Sequence, residues 1–142
     1  MKVENARRGG IVALPYPDSK TRYILAKIRS FNVFGEAMLE PYRSGEFKGF
    51  ELEQDLGNCL GLTEVVTSED CVNAQVLCYY DWQWVRAETP DVPFPVDEIQ
   101  LVYLDKDRTK TAFIERKNLF VISDAYGTSL EYNDPIEREV RK

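Results

Sequence analysis

The chain has no histidine among its 142 residues, only three cysteines, and no apolar run near the roughly 20 residues that span a bilayer. Without histidine there is no Ser-His or Cys-His nucleophile pair. Cys59, Cys71 and Cys78 show no metal-ligand spacing. Their odd, sparse number suits a reducing compartment, where thiols serve as small hydrophobes. No Gly-rich phosphate loop precedes a helix pattern, and residues 1–10 lack the apolar core of a signal peptide. Asp105-Lys106-Asp107 starts like a calcium loop, but the glycine and the distal glutamate are not in register. Carboxylates are plentiful, yet no spacing singles out an acid pair. These absences point to a non-enzyme without cofactor or metal, soluble and intracellular.

Basic residues are the minority sign, 18 against 24 acidic ones, for a net charge of −6. Phosphate-backbone affinity comes from counterions released around Lys and Arg clusters, so direct nucleic-acid binding is disfavoured. An acidic surface favours basic partners, chiefly through association rate. The same charge also serves plain solubility.

What the chain does have is strands. Residues 10–14 and 23–28 are β-rich runs around the turn cluster Pro17-Asp18-Ser19-Lys20. Residues 34–40 read as a third strand, and the alternation at 50–53 as a fourth. The second half repeats the scheme from about Val72 through Ala87. A proline-rich loop follows at 89–95. Strands at 99–103, 111–115 and 119–122 flank the turn Asp105-Lys106-Asp107-Arg108. The halves share a register: Tyr23, Ala26 and Tyr42 stand 61 residues before Trp84, Ala87 and Tyr103. A shared offset across separate segments indicates two copies of one small β unit. Short strands, tight turns and little helix predict small, bent barrels. The expected bounds are 9–57 for the first, 58–71 for a connector, 72–123 for the second and 124–142 for a tail. Pro135 suits the first turn of a short helix in that tail.

An apolar strand ending in an aromatic, then a short turn, then aromatic-x-x-Ala, resembles the Tudor domain, a member of the SH3-like barrels. Residues 99–105, with Phe113 and Asn118-Leu119 downstream, fit the same pattern. The run 12–18 is similar to the tandem Tudor reader of histone-acetyltransferase coactivator complexes. The resemblance spans most of residues 9–123. The usual Asp-Tyr-Gly-Asn turn is absent, and the first two strands of the second copy are joined by almost no loop. The resemblance implies an all-β fold of two Tudor-like barrels, with cage aromatics at Tyr16 and Tyr23.

A methylated Lys or Arg is held by aromatic faces, because quadrupole attraction and desolvation act together on a diffuse cation. The candidate walls are Tyr16, Tyr23, Tyr42 and Phe47 in the first copy, with Asp18 or Glu40 as the acid. In the second they are Tyr79, Tyr80, Trp82, Trp84 and Tyr103, with Asp81 or Asp105. Core or interface packing is the competing role for each ring. The expected function is recognition of a basic peptide, methylated or not, within a multiprotein complex, nuclear if the peptide is a histone tail. A structural adaptor without a cage, a nucleic-acid-associated barrel and an acidic mimic of nucleic acid are the rivals.

Overall fold

The computed structural model describes residues 1–16, 21–43, 53–54 and 56–127. It is all-β and antiparallel in its strand pairs, and its helical segments are short 3-10 turns. The strands are β1 (Ile11–Pro15), β2 (Arg22–Phe31), β3 (Ala37–Pro41), β4 (Glu53–Gln54), β5 (Leu60–Glu64), β6 (Gln75–Tyr80), β7 (Gln83–Glu88), β8 (Ile99–Tyr103), β9 (Thr111–Glu115) and β10 (Leu119–Asp124). No helix among the described residues is long and apolar enough to cross a membrane. Two compact units emerge. Among the described residues, unit 1 takes in 1–63 and 122–127, and unit 2 takes in 64–121.

In unit 1, β1 pairs with β2 and with β5, β2 with β3, and β3 with β4. Val12 lies opposite Ala26, and Ile28 opposite Leu39. Alternation then sends Val12, Leu14, Ala26, Ile28, Ala37 and Leu39 to one face. There they bury against Met1, Leu56 and Cys59. The ladder slips at Arg29, between Ile28 and Ser30, as a bulge does. Beyond it the hairpin ends in a loop organised by one side chain. Asn32 accepts from the backbone N–H of Phe34 at 2.9 Å and of Glu36 at 3.0 Å, and Gly35 supplies the positive φ of 80°. The third strand therefore begins at Ala37 and not at Phe34.

The stretch 58–71, expected as a bare connector, contains β5 and a 3-10 turn (Ser68–Cys71). Gly61 sits in β5 because a Cβ there would meet Asp124 Cβ at 3.1 Å and the Met1 side chain at 3.4 Å. The N-terminus is tied in as well. The Met1 ammonium donates to the carbonyls of Leu56, Cys59 and Tyr126 at 2.8, 2.6 and 3.1 Å.

In unit 2, β6 pairs with β7 and β10, and β8 with β9, while β7 meets β8 at the single pair Glu88–Tyr103. Val76, Cys78, Val85, Ala87, Val102, Leu104, Ile114 and Leu119 form its core. All three cysteines are buried and free of disulfides. Burial pushes the Cys71 thiol up to about 11 and the Cys78 thiol up to about 12, so both stay protonated and behave as apolar filler.

Candidate functional site

The shared offset survives in three dimensions as equivalent strand positions. Ala26 and Ala87 lie opposite Val12 and Val76 and belong to their units' cores. Tyr23 and Trp84 project from the opposite face of their hairpins. They are 2 % and 3 % exposed. Trp84 lies directly across from Tyr79, ring centroids 5.3 Å apart, and 5.7 Å from Phe120. Both faces of each hairpin are thus buried. Tyr23 and Trp84, expected as cage walls at barrel mouths, offer no open ring face to a ligand from solvent.

Tyr16 follows β1 in the row of Val12 and Leu14 and is 40 % exposed. Tyr42 follows β3, its N–H donating to the Leu25 carbonyl at 3.2 Å, which places it in the opposite row. The first copy's tyrosines are therefore split between two faces. Glu40 is half-buried and lies opposite Lys27. Asp18 and Phe47 lie outside the described residues.

In unit 2, Tyr80 ends β6 on the core side, half-buried against the core cluster. Asp81 and Trp82 form the whole turn between β6 and β7, with φ of 53° and 66°. This two-residue turn with both φ positive matches the right-handed strand twist, and it favours Asn-Gly or Asp-Gly. A tryptophan in the glycine position is an exception, and its ring stands 87 % exposed. Trp82 is thus a turn residue, outside the face that Trp84 occupies.

Tyr103 ends β8 on the outward face, away from Val102 and Leu104. Tyr80 and Tyr103 therefore face opposite sides of the sheet. Asp105 serves the β8–β9 loop itself. One carboxylate oxygen accepts from the N–H of Thr109 at 2.9 Å and of Lys110 at 3.2 Å, and the other takes the Thr109 hydroxyl. That loop carries two cations back onto the rings. Arg108 lies over Tyr103 at 5.0 Å from its centroid, and Lys110 over Tyr80 at 5.5 Å. In unit 1, Arg43 lies over Tyr42 at 5.9 Å and Lys2 over Tyr126 at 5.5 Å. Sequence reasoning missed Arg108 and Lys110 as partners of the tyrosines. No sequence signal pairs them, because each contact depends on how the β8–β9 loop folds back, and Tyr80 belongs to β6.

Solved structures similar to this chain include AGD34 of Arabidopsis thaliana AGDP1, at 15 % identity and a TM-score of 0.47, covering 89 % of this chain and 88 % of that one. Tandem Agenet domain 3-4 of ADCP1 is also 15 % identical, with a TM-score of 0.43 and coverage of 89 % and 87 %. No family model matches the sequence, and no curated protein matches it. Among the described residues, no group of three or more His, Cys, Asp or Glu is placed to hold a metal ion. The chemistry within reach is that of aromatic faces and carboxylates meeting cations.

Proposed function

We propose that the chain is a non-enzymatic binding module for a basic peptide segment, with Lys or Arg side chains, methylated or not, as the recognised groups. The observation that carries this reading is the repeated seating of the chain's own cations on half-buried tyrosines: Arg43 on Tyr42, Lys110 on Tyr80 and Arg108 on Tyr103. Each such contact is worth about 0.5–1 kcal/mol at an exposed site, so a ligand cation can compete for the ring. The net charge of −6 supports the same partner class by drawing basic peptides toward the surface. Under this reading the module works inside the cell as part of a larger complex, on chromatin if its peptide is a histone tail. Nucleic acid is not a direct ligand.

The test is a titration of ring-labelled protein with unmodified and methylated Lys and Arg peptides. Shifts at Tyr16, Tyr42, Tyr80 or Tyr103 are expected. Silence of all four rings toward every peptide overturns the reading.

An adaptor role is the second reading, and specific residues favour it. Val33 and Phe34 stand 94 % and 84 % exposed on the loop that Asn32 braces by accepting two backbone hydrogen bonds, and Trp82 is offered by a tight two-residue turn. Exposed apolar side chains on such turns suit protein contacts that need no cage.

A further inference from the structure

We propose that Tyr103, Glu88 and Asp91 form an arginine-binding site on the outward wall of unit 2, occupied in this structure by the chain's own Arg108. The proposal rests on the reading that half-buried tyrosines take cations, and it adds a place, a preferred side chain and a built-in competitor.

Register creates the site. Glu88 and Tyr103 are the single directly paired residues of β7 and β8, so a carboxylate and a phenol ring stand side by side on one face. Glu88 is oriented from the other side, where Gln75 Nε2 donates to its Oε1 at 2.8 Å. Its Oε2 faces Arg108. Asp91 comes from the loop after β7, whose base is pinned to the preceding turn. The Asn73 N–H donates to the Pro90 carbonyl at 2.7 Å, and the Thr89 N–H to that of Ala74 at 3.0 Å. A ring face and two carboxylates converge on one cation.

The geometry around Arg108 fits guanidinium better than ammonium. Its Cζ lies 5.0 Å over the Tyr103 ring, its Nε is 3.9 Å from Glu88 Oε2, and its Nη2 is 3.9 Å from Asp91 Oδ1. A planar fork can stack on the ring while its edge nitrogens reach two different carboxylates, which a point-charge ammonium cannot do. Both ion pairs are longer than a hydrogen bond, so Arg108 occupies the site without closing on it. An arginine arriving from another chain is free of the loop's constraints and can approach to bonding distance.

The backbone at Arg108 would suit a smaller residue better than a long cationic one. Its φ is 58°, a left-handed conformation that favours glycine or asparagine. Asp105 holds the loop through its carbonyl, which accepts from Arg108 N–H at 3.2 Å, and through its carboxylate. A long cationic residue kept in an unfavourable conformation, with its head over an acid-flanked ring, points to a purpose beyond the turn. That purpose is competition. A tethered guanidinium acts at high effective concentration and weakens binding of a free one.

Arg108→Gly tests this with little risk to folding, since the turn conformation suits glycine. The probes are the blocked peptides acetyl-Gly-Arg-Gly-amide and acetyl-Gly-Lys-Gly-amide, followed through the Tyr103 ring resonances. The variant should bind the arginine peptide about three- to tenfold more tightly than the unsubstituted chain. It should prefer arginine over lysine, and adding Glu88→Gln should remove the gain. No gain in the variant, equal response to both peptides, or a gain that survives Glu88→Gln overturns the proposal. If Tyr42 or Tyr80 responds while Tyr103 does not, this site fails and the general reading stands. If no tyrosine responds to any basic peptide, the general reading fails with it.

Discussion

In unit 1, six residues separate β1 from β2, whereas in unit 2 the matching strands β6 and β7 are separated by two. The paired positions inside the hairpins are nevertheless equivalent: Val12 with Ala26, Val76 with Ala87. The buried outward aromatic is equivalent too, Tyr23 in one and Trp84 in the other. The duplication therefore records the framework, and the two units have diverged in what their loops present. Unit 1 offers the exposed apolar tip at Val33 and Phe34. Unit 2 offers Trp82 and a loop that lays Arg108 and Lys110 on tyrosines.

Substitutions at equivalent positions can break this comparison. Trp84→Ala removes a ring packed on Tyr79 and Phe120 and should cost about 3–5 kcal/mol, as should Tyr23→Ala; chemical denaturation measures both. A loss below about 1 kcal/mol in either would end the equivalence of that pair. Tyr42→Ala and Tyr103→Ala, at half-buried positions, should each cost about 1 kcal/mol, with their larger effect on peptide binding. Trp82→Gly should raise stability by about 1 kcal/mol, because glycine takes φ of 66° without strain; a fall would reveal packing by the exposed ring. The double change Val33→Ser with Phe34→Ser should leave the unfolding free energy within about 0.5 kcal/mol of the original. A larger loss would make that tip structural.

The smallest difference at neutral pH concerns one aspartate per unit. In unit 2, backbone N–H groups of Thr67 and Val66 hold the Asp70 carboxyl below the ordinary aspartate value. In unit 1, burial works against ionisation of Asp124, but hydrogen bonds from Asn5, Tyr126 and Lys2 outweigh it and its carboxyl is also held low. A depressed carboxyl contributes stability that is fully present above roughly pH 4 and is lost as pH falls through the folded-state value. Denaturation midpoints of Asp70→Asn and Asp124→Asn should therefore show a flatter acid limb than the parent chain. An unchanged acid limb would exclude these carboxyls as its source.

Much of the fold was legible in the residues. The strands at 99–103 and 111–115 are found where alternation and turn residues put them, because unit 2 is packed on one face there and open on the other. β5 escaped because Gly61 reads as a breaker, and its need for glycine arises only from Asp124 and Met1 approaching from far along the chain. The faces of Tyr23 and Trp84 escaped for a different reason. Alternation separates buried from exposed, and it is blind where Leu25 and Ala26, or Leu77 and Cys78, are buried on opposite faces of one strand. The partners of Tyr80 and Tyr103 depend on loop conformation, which spacing alone does not encode.

The strand β10 makes the first unit discontinuous along the chain. Its first residues, Leu119–Val121, complete unit 2, while Ile122–Asp124 belong to unit 1, where the Ser123 hydroxyl donates to the Gly61 carbonyl. Residues 1–63 are thus joined to Ile122–Asp124 only across the length of residues 64–121. A cut after Thr63 would therefore leave the first unit without Ile122–Asp124, the part of β10 that belongs to it.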